Sequence, residues 1–431
     1  IKIVQPKYIL CLGADVSKAL LGGTAGVGEM EGRVEKLRYN VAFTARDQEQ
    51  HWKEAQVMTV VHPRQVLRDQ SAGRQLENGI SRFIALTKGV TIGASEVIDH
   101  KVVDNHWDLL QQLINIEKDE NKRDSIIAVD AEWHGKHPIN KNAYMRTMQI
   151  SWYEKKALGI KFHEAGGEMT PGFATSRARQ LPDKTLKLLN MFFLGGVFKY
   201  KDAEEVKEIK FRRKRVIGHF FNADLEWLLD YGINIQACFS CQLFDYEMKP
   251  ENADKKLFKL YKKEGFTEEA IVPAWYRTNF EGGADTGLMA HAIEETASYK
   301  LETLAMRYTS APRYDRELQH WKTAYCKSQG ITNADLEGYG ECPDEVLLPY
   351  GMYDADVTLR LFYKLSVLLD DDYEGNNCRE AFWESQIATP AVLEIHRTGI
   401  TVDKDRIDFL TKRFMHAKNT LEVKLRTEIK W

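Results

Sequence analysis

Two acidic residues interrupt an apolar run near the middle of the chain. The segment SIIAVDAEW (125–133) predicts a buried strand in which Asp130 and Glu132 lie two residues apart. Because side chains alternate along a strand, both carboxylates point to the same face. Two buried acids on one face repel each other and lose hydration unless a cation lies between them. Carboxylate oxygens suit Mg²⁺ or Mn²⁺, so this strand predicts a metal site, with a solvent-facing strand end as the alternative.

Two later segments add further acids. Asp224 follows the apolar run VIGHFF and opens the helical segment LEWLLDYGI, a position from which it can project into a cleft at the carboxyl edge of a sheet. An acid that stabilises the helix dipole is the alternative there. Tyr350 and Asp354 lie four residues apart in a predicted helix, so they share a face and could act together. A helix with scattered polar residues of no joint role is the alternative. Asp356 points elsewhere and is interpreted as a surface or packing residue.

The order of these segments is more informative than any single acid. Together they provide four carboxylates, those of Asp130, Glu132, Asp224 and Asp354. Four carboxylates can hold two divalent ions, and in phosphodiester hydrolysis one ion activates the water while the other stabilises the leaving 3′ oxygen. We therefore expect two Mg²⁺ or Mn²⁺ ions, with the hydroxyl of Tyr350 orienting the attacking water.

Length, net charge and hydrophobicity limit the class of protein to which the chain can belong. A chain of 431 residues predicts two or three domains, and its net charge of −3 does not favour a surface that coats nucleic acid broadly. No apolar run approaches the ~20 residues of a membrane span, and no secretory signal opens the chain. We expect a cytoplasmic protein without a membrane partner, and nothing indicates an oligomer. The start at Ile1 and the charged helical ending LRTEIKW predict a piece of a longer protein.

Three domains are predicted along the chain. Residues 1–95 contain a strand, a glycine turn and a short helix in YILCLGADVSKALLGG, then the strand VMTVVHP and an amphipathic helix ended by Gly89. Residues 96–383 alternate strands and helices, with a polar insertion over 247–284. Residues 384–431 predict a helix, a short strand in GITVD and a long charged helix. The expected fold class is α/β, with a small α/β segment before the main domain and a helical region after it.

The three acidic segments resemble the exonuclease motifs of family A, polymerase I-like DNA polymerases. DAEW, GHFFNADLEWL and YGMYDADVTLRLF match these motifs in order, and DTGLMAHAIEETASYKLETLA resembles a further family segment. RYDRELQHWK and CPDEVLLPY resemble phage members. The resemblance covers residues 96–383. It implies a ribonuclease-H-like domain, a mixed sheet flanked by helices, that degrades DNA 3′→5′ with four metal-holding acids and a tyrosine.

The second motif departs from the family pattern. Family members commonly carry Asn four residues before the motif's Asp and an aromatic residue just before it, but here Phe220 and Ala223 occupy those positions. In the family, that Asn helps to hold the single-stranded end. We expect His219, Phe220 and the displaced Asn222 to contact a single-stranded DNA 3′ end. Trp133 is expected to stack on a terminal base, with core packing as the alternative.

The two ends of the chain resemble other domains. LEIHRTGITVDKDRIDFL resembles the stretch that leads into the polymerase domain, which implies the remainder of a polymerase chain as a partner, although polymerase motifs are absent. Residues 1–95 resemble the later half of a uracil-DNA glycosylase-type domain, in which a strand ends in a His-Pro pair, here His62 and Pro63. The resemblance implies that His62 stabilises the anion of a flipped base. A strand-end His in a packing domain is the alternative.

Two smaller features stay open. Cys238 and Cys241 form a CxxC without a second pair, which favours free thiols in a reducing cytosol over a zinc site. FRRKRVIGHF (211–220) predicts a basic turn that runs into a strand. The basic run KEIKFRRKR (207–215) either contacts phosphates near the cleft or is a solvated turn.

We interpret the chain as the proofreading 3′→5′ exonuclease part of a phage-like family A DNA polymerase. Two other classes remain possible: a non-catalytic nucleic-acid-binding scaffold, and a base-excision enzyme centred on residues 1–95. The four intact acids argue against the scaffold. The glycosylase family's first motif would lie before Ile1, which argues against the base-excision enzyme.

Overall fold

A computed structural model describes residues 1, 3–22, 34–40, 52–67, 71–89, 98–119, 125–176, 180–239, 283–295, 298–309, 311–370 and 378–429. It divides into one compact unit, Ile1–Pro390, and a second, Ala391–Trp431. The strands are β1 (Tyr8–Leu12), β2 (Val34–Asn40), β3 (Trp52–Val60), β4 (Asp99–Val103), β5 (Ile126–His134), β6 (Tyr144–Tyr153), β7 (Lys156–Lys161), β8 (Gly196–Asp202), β9 (Glu205–Phe211), β10 (Arg215–Gly218) and β11 (Ala284–Asp285). The helices are α1 (Ala14–Leu21), α2 (Pro63–Val66), α3 (Ser71–Thr87), α4 (His106–Lys118), α5 (Asp183–Leu194), α6 (Asn222–Asp230), α7 (Gln236–Phe239), α8 (Thr286–Ile293), α9 (Leu301–Tyr308), α10 (Arg316–Gln329), α11 (Asp344–Asp370), α12 (Cys378–Thr398) and α13 (Lys404–Ile429).

A three-stranded sheet begins the first unit, in the order β1-β3-β2. β1 is parallel to β3 and β2 is antiparallel to it. The predicted strand, glycine turn and helix of β1 and α1 are present, as are the strand β3 and the helix α3 before Gly89. The sequence does not predict β2, because VEKLRYN mixes charged and apolar residues and lacks the pattern of a buried strand.

The central sheet has six strands in the order β11-β10-β5-β6-β7-β4. β6 is antiparallel to β5 and β7, whereas β10 and β11 are added parallel to β5. Ribonuclease H has the same strand arrangement: three consecutive antiparallel strands, here β5, β6 and β7, and two parallel strands beside the first, here β10 and β11. The predicted α/β fold with a mixed sheet flanked by helices is therefore confirmed. The sequence predicts β5 and β6 but not β4 and β7, whose short segments DHKVV and KALGIK lack a clear period.

The acids of β5 lie on the face that is covered by helices α8, α9 and α11. Ile126 and Ala128 belong to a buried apolar cluster that these helices share. Asp130 and Glu132 continue the same period of two and so point toward the same side. Ile127 and Val129, on the alternate positions, are buried too. A strand that is buried on both faces thus carries two acids toward α11.

α11 packs directly against β6 because one of its residues has no side chain. A Cβ on Gly351 would lie 2.5 Å from the side-chain nitrogen of Gln149 on β6. Asp354 follows less than one turn later, so this close approach sets its distance from the acids of β5. From the sequence, Pro349 is expected either to start or to kink this helix. It lies inside α11, so the first alternative is wrong.

Residues 196–211 form a β-hairpin of β8 and β9. The basic turn predicted from FRRKRVIGHF is confirmed at residues 212–214, which lead into β10, whereas residues 207–211 of the basic run belong to β9. Alternating lysine and glutamate obscure the apolar half of this exposed strand, so its period of two is weak.

Arg146 on β6 is fully buried and connects the sheet to the beginning of α11. Its guanidinium forms an ion pair with Asp344, the first residue of α11. It also donates hydrogen bonds of 2.7–3.2 Å to four main-chain carbonyls, those of His163, Tyr339, Gly340 and Cys342. The carbonyls of Tyr339, Gly340 and Cys342 share the two hydrogens of one guanidinium nitrogen, while the other two nitrogens serve His163 and Asp344. Arg146 therefore fixes both the loop before α11 and the position at which that helix starts.

The second unit consists of helix where the structure describes it, apart from a short connection. Residues 399–403 join α12 to α13 without regular structure, so the strand predicted in GITVD is wrong. A strand of this length needs a neighbour to satisfy its backbone groups. The polar insertion predicted over 247–284 lies outside the described residues up to residue 282. In the described parts of the chain, no helix has the length and apolar character needed to cross a membrane.

We expect Arg146→Met to lower the free energy of unfolding by about 3–5 kcal/mol, because the change leaves several main-chain carbonyls unpaired and removes one of the two cations that pair with the half-buried Asp344. Chemical denaturation followed by circular dichroism measures this loss. Lys199→Met, on the exposed hairpin, is the control and should change stability by less than about 0.5 kcal/mol. A loss below about 1 kcal/mol for Arg146→Met would contradict the role assigned to this residue.

Candidate metal centre

Three carboxylates from two elements meet beside β5. Oxygen atoms of Asp130, Glu132 and Asp354 all lie within 4.8 Å of one another. Glu132 and Asp354 are only 6% and 5% exposed, and Asp130 is half-buried. Since Mg²⁺ binds its oxygen ligands at about 2.1 Å, oxygens this close together can share one ion. The group fits a divalent cation in both its geometry and its ligand chemistry.

Asp224 is held beside these acids by the main chain. It lies in the first turn of α6, is 7% exposed, and its Oδ1 accepts a hydrogen bond of 2.9 Å from the N–H of Ala131. Ala131 separates Asp130 from Glu132 on β5, so the fourth acid adjoins both. One oxygen of Asp224 is thereby anchored, which sets the orientation of the carboxylate before any ion binds.

The electrostatics of the four acids favour a cation. Burial, followed by the charges of Glu132, Asp354 and Asp224, raises the pKa of Asp130 well above its usual range. Burial is also the largest cause that raises the pKa of Glu132 and of Asp224. It raises the pKa of Asp354 to about 8, although a hydrogen bond from Tyr314 acts in the opposite direction. Acids crowded in this way keep their protons unless a positive charge lets them ionise.

Three tyrosines surround the acids, namely Tyr314, Tyr339 and Tyr350. The ring of Tyr350 lies 5.9 Å from that of Tyr314 and 6.4 Å from that of Tyr339, measured between centroids. Burial, then the charges of Asp354 and Glu132, raises the pKa of Tyr350 well above its usual range. The predicted Tyr350 thus lies with the acids. Tyr314 and Tyr339 are missed by the sequence analysis, because both come from connections between helices where no periodic pattern marks a face.

One lysine approaches the acids from α10. Burial, Asp354 and Asp224 raise the pKa of Glu132, whereas the charge of Lys322 lowers it. The Nζ of Lys322 lies 4.7 Å from the centre of the Tyr339 ring, a cation–π contact that places the ammonium group. The sequence does not single out this lysine, because α10 is a helix of mixed charge.

Trp133 packs against the protein. A register shift follows Glu132, and the ring of Trp133 stacks on Trp227 with centroids 5.4 Å apart and planes 20° apart. Trp227 is itself buried. The core-packing alternative describes this contact, and a terminal base could not occupy the same face of the ring.

His219 is held by protein groups on both sides. Its Nδ1 lies 2.9 Å from the Thr286 hydroxyl and its Nε2 lies 2.8 Å from the Tyr299 carbonyl. Burial lowers the pKa of this imidazole. With both ring nitrogens engaged, His219 has no nitrogen left to replace the family's Asn in binding DNA, so this expectation is corrected to a structural role.

Phe220, in contrast, is presented to solvent. It is 47% exposed and adopts a left-handed conformation with φ 48°, which a residue with a bulky side chain rarely does. The buried carboxylate of Asp285 stabilises this turn by accepting hydrogen bonds of 2.9 Å from the N–H groups of Phe220 and Phe221. Asn222 follows as the first residue of α6. The exposed ring of Phe220 therefore remains available for a nucleic-acid base.

Asp356 is a packing residue and not a surface one. It is fully buried, accepts a hydrogen bond of 2.6 Å from the N–H of Lys155 and forms an ion pair with Arg360 one turn later. Its carboxylate is thus used by the protein interior, and the surface half of the prediction is wrong.

The basic run lies away from the acids. Arg212 and the buried Lys214 both form ion pairs with Glu117 of α4. β10 then starts beside Ile126, at the beginning of β5, whereas Asp130 lies four residues further along. The prediction that this run contacts phosphates near the cleft is therefore wrong.

His62 and Cys238 lie in separate surroundings. The Nδ1 of His62 caps α2 by accepting a hydrogen bond of 3.0 Å from the N–H of Arg64, and a Cβ on Gly13 (φ 93°) would lie 3.0 Å from the His62 Cβ. These contacts match the packing alternative for His62. Cys238 is buried with its thiol 3.2 Å from the Phe193 carbonyl, and Cys241 lies outside the described residues.

No family model matches the chain. The DNA polymerase of Escherichia phage T5 is 27% identical over 147 residues, which are 33% of this chain and 16% of that polymerase. The match thus spans a small part of its relative, and the family is not established by it.

Three solved structures have similar chains at low identity. NrnC of Brucella melitensis with bound Mg²⁺ is 14% identical, with 70% of this chain and 92% of that chain covered and a TM-score of 0.32. The Nibbler EXO domain of Aedes aegypti is 13% identical, with 69% and 99% covered and a TM-score of 0.34. The catalytic core of RRP6 from Trypanosoma brucei is 14% identical, with 71% and 60% covered and a TM-score of 0.32. Scores of this size carry no conclusion about function.

The raised pKa values predict how stability depends on pH and metal. An acid whose pKa is higher in the folded than in the unfolded state stabilises the fold below its unfolded pKa, and this stabilisation is lost as the pH rises through the folded pKa. For Asp354 that interval runs from about 4 in the unfolded chain to about 8. We therefore expect saturating Mg²⁺ to raise the melting temperature by on the order of 5 °C above pH 8, and by less near pH 6.

Differential scanning calorimetry at the two pH values measures this difference. Asp354→Asn should raise the melting temperature of the metal-free protein above pH 8, because it removes one repelling charge. An equal effect of Mg²⁺ at both pH values would contradict the assignment of the acids as a metal centre.

Proposed function

We propose that this chain is a metal-dependent 3′→5′ exonuclease that proofreads within a phage-like family A DNA polymerase and acts on single-stranded DNA 3′ ends. The convergence of Asp130, Glu132 and Asp354 within 4.8 Å, with Asp224 anchored between the first two, carries this proposal. A ribonuclease-H-like sheet and the partial match to a phage DNA polymerase support it.

The four acids divide between two ions in this proposal. Asp130, Glu132 and Asp354 would hold one divalent ion, and Asp224 together with Asp130 would hold the second. When bound, the ions supply an activated water and stabilise the charge on the leaving 3′ oxygen. The protein contributes a preorganised set of ligands, since β5, α6 and α11 hold the carboxylates in place before the substrate arrives.

Tyr350 positions the attacking water. Its pKa is raised by burial and by the nearby acids, so the phenol keeps its proton at neutral pH and cannot act as a base. A protonated hydroxyl beside Asp354 can instead accept a hydrogen bond from a water molecule or donate one to it. The exposed ring of Phe220 offers a stacking surface for a base of the DNA strand.

The domain assignments belong to the same proposal. Residues 96–383 form the exonuclease domain, residues 1–95 form a partial glycosylase-like domain, and residues 384–431 begin the polymerase region. The remainder of a polymerase chain is the proposed partner, which the match to the T5 enzyme supports.

We expect Asp130→Asn combined with Glu132→Gln to reduce exonuclease activity by about a thousandfold or more, because the ions lose two ligands. The assay follows shortening of a 5′-labelled single-stranded DNA in Mg²⁺. Asp230→Asn, an exposed acid on α6, is the matched control and should keep full activity.

A second DNA with a chemically blocked 3′ end tests the direction and should stay intact. Unchanged activity of the double variant, or shortening of the blocked DNA, would contradict the proposed function.

Tyr350→Phe should lower turnover at saturating metal by roughly tenfold to a hundredfold, since the water loses the hydroxyl that positions it while Tyr314 still holds Asp354. Single-turnover rates over a series of Mg²⁺ concentrations measure this effect. The concentration of half-activation should stay at the wild-type value. A change in that concentration with unchanged turnover would contradict the role of Tyr350.

A further inference from the structure

Asp354 cannot be oriented by the backbone of its own helix. It lies inside α11, where main-chain N–H groups bond to carbonyls four residues earlier. Asp224, by contrast, receives the N–H of Ala131 on one oxygen. A carboxylate in mid-helix is held by side chains. Tyr350 on the same helix hydrogen-bonds to Asp354, and a second side chain does so from another part of the chain.

That side chain is Tyr314. Its hydroxyl donates a hydrogen bond of 2.5 Å to the Oδ1 of Asp354. Tyr314 lies in the connection before α10 and not on α11, so it links two elements that meet at the acids. An oxygen that is bonded to this phenol is fixed in direction, which sets the orientation of the whole carboxylate beside Asp130 and Glu132.

The phenol is locked in place by its surroundings. Its ring stacks on Tyr353, with centroids 5.1 Å apart and planes 10° apart. The next residue, Asp315, is buried and pairs with Arg313 at 3.0 Å, and its carbonyl accepts the N–H of Gln319 in α10. The hydroxyl therefore has little freedom to leave Asp354, which a positioning group requires.

We propose that Tyr314 is a positioning residue that orients Asp354 for metal binding, a role separate from that of Tyr350. The inference rests on the proposed function, because it assumes that Asp354 binds the ion used in hydrolysis. The two acids outside β5 are then anchored in the same way: Asp224 by a main-chain N–H and Asp354 by a phenol, each through its Oδ1. Tyr350 also hydrogen-bonds to Asp354, but it lies on the same helix, and its hydroxyl is the group assigned to the water.

Removal of one hydroxyl tests this role. Groups that hold a metal ligand typically change metal affinity by 10–100-fold, so Tyr314→Phe should weaken Mn²⁺ binding about tenfold in calorimetry without DNA. The Mn²⁺ concentration that half-activates DNA degradation should rise by the same factor, and turnover at saturating Mn²⁺ should return to the wild-type value. Tyr325→Phe on α10, whose ring stacks on Trp321, is the matched control and should change neither quantity.

The outcomes separate this inference from the proposed function. An unchanged Mn²⁺ affinity in Tyr314→Phe overturns the inference, and so does a loss of turnover that saturating Mn²⁺ does not restore. If Tyr314→Phe weakens Mn²⁺ binding but the wild-type protein does not degrade DNA, the inference holds for metal binding and the proposed function fails. If the wild-type protein binds no Mn²⁺, both fail.

Discussion

The packing of α11 against β5 and β6 brings together carboxylates that repel one another. Asp354 reaches Asp130 and Glu132 because Gly351 lets the helix lie close to Gln149 on β6. The apolar cluster that β5 shares with α8, α9 and α11 supplies the favourable free energy that holds the charges together. The raised pKa values of the acids are the electrostatic consequence of this packing. A divalent cation would relieve the repulsion, so the strain in the metal-free protein and its affinity for metal have one origin.

Each acid outside β5 is supported by a specific contact. Asp224 receives the N–H of Ala131, and Asp354 receives the hydroxyl of Tyr314. Arg146 fixes the loop that carries Tyr339 and the start of α11. Ligands that are already oriented lose little conformational entropy when an ion binds, and they keep the ion in the geometry that hydrolysis needs.

The altered second motif has a structural counterpart. The buried Asp285 stabilises the left-handed turn at Phe220, which exposes the ring where the family has an amide. An amide recognises hydrogen-bonding groups, whereas an aromatic face stacks on any base. In the proposed function, this exposed ring would stack on a base of the DNA 3′ end. His219 and Trp133 neighbour the site but serve the protein's own packing.

The sequence by itself determined the order of the acidic segments, the strand that carries Asp130 and Glu132, and the α/β class, because period-two and helical patterns are local properties. The mixed sheet was implied only by the resemblance to the polymerase family. It also placed Tyr350 and Asp354 on one helix face. Only the tertiary structure decided that Tyr314, Tyr339 and Lys322 join the acids, since these residues come from segments that no local pattern connects to β5. It likewise decided that the basic run 207–215 leads to the beginning of β5, away from the acids. It also decided that both ring nitrogens of His219 contact protein groups. Contacts between residues distant in sequence depend on how helices pack on the sheet, and a single sequence does not encode that packing in a pattern that can be recognised by eye.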